Sequence, residues 1–296
     1  MGFRKITARF AGLAAAVLLA AGTLVGCVNA SDVKAEEPAS VSSAASATNT
    51  STTSAGTTAN SSAGATSAAS VAAGTNTELT SGQVNVTIDG KSTTLSGAYV
   101  VDGVDAVIDG GTYSSTTTDQ AVFLVVNGGS LTIRNAGITK SGDTSNEEQS
   151  NFYGFNSAVL VAGEGSSVTM ENTTITTQSS GSNGVVATGG ATATARQTTI
   201  ETHANSSRGL HATYKGAITG ENVIIHTRGA HSATLATDRG NGTVTATGTN
   251  ELHTEGDGSP LLYSTGQISA SGVTGEAKDS EVVVVEGEVS GSVTNS

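Results

Sequence analysis

From Leu79 onward the apolar residues fall in short β-branched runs bounded by Gly, Asn or Ser, and the runs repeat. One series reads Gly137-Ile138-Thr139, Thr174-Ile175-Thr176, Thr199-Ile200-Glu201, Ile224-Ile225-His226 and Glu251-Leu252-His253, with central residues spaced 37, 25, 25 and 27 apart. A second series keeps step with it: Ala158-Val159-Leu160, Gly184-Val185-Val186, Gly209-Leu210-His211, Thr234-Leu235-Ala236, Leu261-Leu262-Tyr263 and Val282-Val283-Val284. Strand-like alternation, Gly-rich corners and a fixed repeat, without helical periodicity, predict one solenoid coil per repeat.

Stacking such coils at the strand spacing aligns equivalent residues in columns. Ile138, Ile175, Ile200, Ile225 and Leu252 are expected to form one inward aliphatic stack, and Val159, Val185, Leu210, Leu235, Leu262 and Val283 another. Two positions beyond the first stack, Thr177, Thr202, Thr227 and Thr254 point inward again and could hydrogen-bond along their own ladder. The fold class is therefore all-β, a right-handed parallel β-helix of about eight or nine coils over residues 79–296. An antiparallel sandwich of short strands also favours Val, Thr and Gly, but it predicts no fixed register. An aromatic content of 3% suits a thin core. The chain ends soon after Val282-Val283-Val284-Val285, so the last coil is expected to have a minimal cap, a partner at its edge, or further sequence that is missing.

The 37-residue step marks an insertion of about a dozen residues relative to the solenoid repeat, lying within Ser141 to Asn156. Insertions in solenoids map to loops on one face, often the binding face. Asp143, Glu147, Glu148, Asn151, Phe152, Tyr153 and Phe155 are therefore the candidate binding loop. The three aromatics would equally serve as a plug packed against the column.

The N-terminal segment changes the picture of compartment. Arg4, Lys5 and Arg9 precede an apolar run from Phe10 to Leu24, which closes on Leu24-Val25-Gly26-Cys27. The run is short for a membrane span. Its end resembles the lipobox of bacterial lipoproteins, which implies removal of residues 1–26, acylation of Cys27 and a lipid-anchored, extracytoplasmic protein at the cell surface. Cys27 is the single cysteine, so no intramolecular disulfide is available to it. Residues 27–78 contain no Leu, Ile, Met or aromatic side chain. They are expected to form an Ala/Ser/Thr-rich disordered tether with a reach of roughly 40 Å. Loss of the three basic leader residues would shift the formal charge of −12 to −15. An acidic surface disfavours nucleic acid as a partner.

Asp143 through Asn156 with its Asn-Phe-Tyr-Gly-Phe-Asn ending, Thr237-Asp238-Arg239-Gly240, Gly258 through Thr265 and Ser280 through Gly287 together resemble a family of adhesin-like β-helical surface proteins of anaerobic gut bacteria. The similarity runs from about Gly110 to Gly287. It implies a pectate-lyase-like helix and surface placement, and carries no defined activity. The chain departs from that pattern at His211, His226 and His253.

Those histidines are the first chemical lead. Glu201, His226 and His253 fall in one outward column and could hold a metal if they converged, although neighbours in a stack run parallel; the expectation is an exposed column without metal or other cofactor. A polysaccharide lyase or glycoside hydrolase acting on an acidic glycan is the enzymatic alternative. Its candidates Asp238, Arg239, Arg208, Lys215 and Arg228 look scattered over coil corners, and Asp238-Arg239-Gly240 reads as a turn with a local ion pair. Thr192-Ala193-Thr194 and Thr243-Val244-Thr245 suggest a crystal-binding threonine array, which the inward threonine column disfavours. The expected function is a non-enzymatic surface lipoprotein binding glycans or a host or cell-surface protein through one face of the helix.

Overall fold

The computed structural model describes residues 79–287 and 290–294. Residues 1–78, with the expected leader, the tether and Cys27, lie outside the described residues. The described chain is a parallel β-solenoid of about eight turns, built from three sheets of nine, seven and eight strands. One coil shows the pattern. Val185–Thr188 contributes to the first sheet, Thr192–Arg196 to the third, Thr199–Thr202 to the second, and Leu210–Ala212 begins the next coil beside Val185–Thr188.

The expected columns are present in register. Ile138 pairs with Ile175, then Ile200, Ile225 and Leu252, all essentially inaccessible. Val159, Val185, Leu210, Leu235, Leu262 and Val283 form the second stack. The aromatic trio Tyr99, Tyr113 and Phe123 fills the first coil, with ring centroids 5.1–5.3 Å apart.

Thr177, Thr202, Thr227 and Thr254 also stack and are buried, but they do not bond to one another. Identical rotamers one strand spacing apart leave their hydroxyls about 4.8 Å apart, too far for an O–H···O bond. Thr202 Oγ1 instead donates to the Ser207 carbonyl at 2.6 Å, and Thr227 Oγ1 to that of Ser232. The polar ladder is made by serines. The amides of Ser182, Ser207 and Ser232 donate to the hydroxyl oxygens of Ser207, Ser232 and Ser259 at 3.0, 2.9 and 2.9 Å. Each hydroxyl then donates to a nearby carbonyl, so the buried turn groups are satisfied.

The tight corner between the third and second sheets has its own column. Asn135, Asn172, Gln197 and Asn222 adopt φ of 53°, 50°, 47° and 55°, and Gly248 and Gly272 occupy the same place. Asparagine tolerates this left-handed geometry by bonding locally. Asn172 Nδ2 donates to Asn135 Oδ1 at 2.7 Å, and Asn135 Nδ2 to Asp109 Oδ1 at 2.8 Å. Beside it Asp109, Arg134, Glu171, Arg196 and Glu221 alternate in sign from coil to coil. Exposed pairs of this kind are worth at most about 1 kcal/mol each, yet the alternation avoids like charges directly opposite, which would destabilise the stack.

Lys140 sits beneath Thr177 in the threonine column and is completely buried. Its Nζ donates to the carbonyls of Thr117 at 3.1 Å, Gly142 at 3.0 Å and Ser141. Burial lowers its pKa to about 8, against the opposing charges of Asp119 and Asp143.

Two tests follow from these packing relations. Ser207→Ala removes the acceptor of the buried Ser182 amide, and its expected cost is about 1–3 kcal/mol in a urea unfolding experiment. For Lys140 the unfolded amine titrates near about 10.4. Between that value and the folded one the unfolded chain binds more protons, so stability contributed through this group rises with pH. The stability difference between wild type and Lys140→Met is expected to shift in favour of wild type, by about 2 kcal/mol from about pH 7 to about pH 10.

Candidate binding cleft

The strands of the first sheet are buried on both faces: Ala121–Val126, Val159–Ala162 and Val185–Thr188 have no exposed residue. Their inner faces meet the solenoid core. Their outer faces are covered by two elements that do not belong to the repeat. The hairpin Thr80–Ile88/Lys91–Asp102 lays Val86, Ile88 and Leu95 over Leu124, Val126, Leu160, Ala162 and Val186. The insertion then continues the cover.

The insertion folds into the short helix Glu147–Tyr153 because its ends carry their own stops. Asn146 Oδ1 accepts from the Gln149 amide at 3.0 Å, and Gly154 closes the helix at φ 75°. A Cβ on Gly154 would come within 2.7 Å of Val186 Cγ1, so only glycine lets the helix end press this closely on the sheet. Behind it, Tyr153 and Phe155 pack against the outer apolar cluster, and Tyr153 stacks on Tyr214 at 5.3 Å. Tyr153 and Phe155 thus form a plug of the kind expected from the sequence, while Phe152 lies under Arg239. Asp143 Oδ1 accepts from the Ser180 amide at 2.8 Å and ties the loop's start to the next coil.

The helix is fastened to successive coils by polar contacts. Arg208 Nη1 donates to Asn151 Oδ1 at 2.6 Å, Thr213 Oγ1 to the Phe152 carbonyl at 2.8 Å, and the Ser206 hydroxyl to the Glu147 carboxylate. Arg239 lies 3.7 Å above the Phe152 ring. His211, fully buried, lies 2.9 Å by Nε2 from the Asn151 carbonyl. A carbonyl only accepts, so Nε2 carries the proton, and Nδ1 has no hydrogen-bond partner among the described residues. Burial, then the Arg208 charge, hold His211 well below the usual histidine range, and the Asn151 bond opposes them only partly.

Beyond the helix the cover ends, and a cleft of about 570 Å³ opens on the outer face. Glu147, Asn151, Arg208, Tyr263, Glu281 and Glu286 are among the residues that line it. Tyr263 donates to Glu286 Oε2 at 2.9 Å, and burial together with this carboxylate raises the phenol pKa. Burial also raises Asp238, while the charges of Arg208 and Arg239 pull it back.

The charges of Arg208 and Asp238 act on one another without an ion pair between them among the described residues. Arg228 lies elsewhere, 2.5 Å from Glu255, and Lys215 lines a separate depression near the hairpin tip. Of the predicted loop residues, Glu147 and Asn151 line the cleft, Glu148 is exposed, and Asp143, Phe152, Tyr153 and Phe155 hold the loop in place. Arg208, Tyr263 and Glu286 were not foreseen as members of one site. Their signal was present: Arg208 falls where Asn183, Ala233 and Pro260 stand in other coils, and Tyr263 where Val186 and Ala236 stand.

Glu201, His226 and His253 do follow one another in register. Their nearest ionic partners are in other columns: Glu201 with His203 at 3.6 Å, His226 with Glu255 at 2.7 Å and His253 with Glu251 at 3.1 Å. Among the described residues no group of three or more His, Cys, Asp or Glu is placed to hold a metal ion. No family model, curated protein or solved structure matches the chain.

Removing Arg208 frees the Asn151 side chain that it holds. Arg208→Ala is expected to cost about 1.5–3 kcal/mol in chemical denaturation, the range of a hydrogen bond to a charged group.

Proposed function

We propose that this chain is a non-enzymatic, adhesin-like surface lipoprotein that holds a glycan or protein ligand in the cleft beside the insertion helix. The observation that carries this reading is the interrupted cover of the first sheet. Hairpin and helix shield the outer face of the early coils, then stop, leaving a concave, mixed polar and aromatic surface of ligand size. The insertion supplies part of its lining, in keeping with the tendency of solenoid insertions to mark a binding face. The charge of the site argues against the lyase or hydrolase alternative on acidic glycans. Glu147, Glu281 and Glu286 line it, against the guanidinium of Arg208. An acidic substrate would meet repulsion there.

In this reading Cys27 carries the lipid and residues 27–78 extend the β-helix away from the membrane. Radiolabelled palmitate is expected to enter the wild-type protein in a bacterial host and to be absent from Cys27→Ala; equal labelling of both would contradict the anchor. The binding claim is tested by screening the purified chain on glycan and surface-protein arrays, alongside Ala233→Trp, which places a large ring in the cleft lining. Signals on the wild type that fall at least about tenfold with Ala233→Trp are expected; signals that survive it place the ligand elsewhere.

A further inference from the structure

The chemistry of this cleft narrows the class of ligand, an inference that rests on the binding role just described. We propose that the cleft recognises an ammonium group, carried either by an amino sugar or by a lysine side chain. Three features meet there. Tyr263 lines the cleft and is half-buried, and its hydroxyl donates to Glu286, which restrains the ring. A cation over an aromatic face is attracted by the ring's quadrupole. The same cleft is lined by Glu147, Glu281 and Glu286. Each hydrogen bond that Glu147 and Glu286 make uses only part of their acceptor capacity, and Glu281 makes no ion pair among the described residues.

The third feature is neither aromatic nor charged. Ser280 also lines the cleft, and its Oγ is buried without a hydrogen-bond partner among the described residues. A buried polar atom of this kind is costly unless it is met. An ammonium has three donors, enough to reach a carboxylate and such an oxygen at once. Arg208 does not reverse the sign of the site. It is 8% exposed, its Nη1 donates to Asn151, and the charge of Asp238 opposes its own. A neutral sugar would use the carboxylates as acceptors but would leave their excess charge uncompensated.

The test is calorimetric titration of the full chain with four probes: a glucosamine oligomer, a tri-lysine peptide, and the N-acetylated form of each. Wild type is compared with Glu281→Gln and with Glu281→Gln/Glu286→Gln, and melting temperature confirms that each variant is folded. The expected result is that one amine probe binds at least about tenfold more tightly than its acetylated form, and that the double variant loses that factor. Which amine binds identifies sugar or peptide as the source. Equal binding of amine and acetylated probes would overturn ammonium recognition and leave the cleft reading intact. Amine binding unchanged in the Gln variants would overturn it as general attraction to an acidic chain. If no probe binds, the ammonium inference fails; the cleft reading then fails with it only if the array signals also survive Ala233→Trp.

Discussion

The structure depends on one constraint: each residue must be compatible with the residue one coil above and one coil below it. Parallel in-register pairing places like positions one strand spacing apart, so a column is a continuous chemical environment. Isoleucine over isoleucine gives dispersion contact without voids. Serine over serine lets an amide in one coil reach the hydroxyl of the next. Aspartate, arginine and glutamate must alternate where they stand over each other. The same rule explains the position of Lys140. A long cation occupies an inward column only because carbonyls at the turn surround its amine.

The solenoid and its register were legible in the sequence because the constraint acts along the chain at a fixed interval. Ile175, Ile200 and Ile225 announce the coil length by themselves. The serine ladder and the asparagine corner were equally periodic, but serine and asparagine are common loop residues and gave no contrast against their surroundings. The direction of the threonine hydroxyls was not legible, since it depends on which carbonyl the turn brings within reach. The cleft was the least visible part. Arg208 and Tyr263 lie 55 positions apart in the chain, and only the fold puts them on one face.

The proposed binding role lies where the repeat is broken. The strands of the second and third sheets follow the coil repeat without a cover of their own. The first sheet is different because the hairpin and the inserted helix hide its early rungs. The price of that cover is specificity of contact: Gly154 must lack a side chain, and His211 must remain neutral under the helix. Where the cover stops, Tyr263 is presented by a strand of the sheet, and Arg208, Glu281 and Glu286 by the turns beside the strands. A preorganised site of this kind binds with little ordering cost.

The most direct measurement of the account is a spin-label ruler along one outward column. Thr174, Thr199, Ile224, Glu251 and Thr274 are successive partners across the second sheet. Pairs of nitroxides, one always at position 174, are to be introduced in a Cys27→Ala chain and their separations read by electron paramagnetic resonance. The account predicts separations that grow by roughly 4.8 Å with each further coil. Separations that fail to increase along the series, as hairpin partners in a sandwich would give, would contradict the stacking on which every column and the cleft depend.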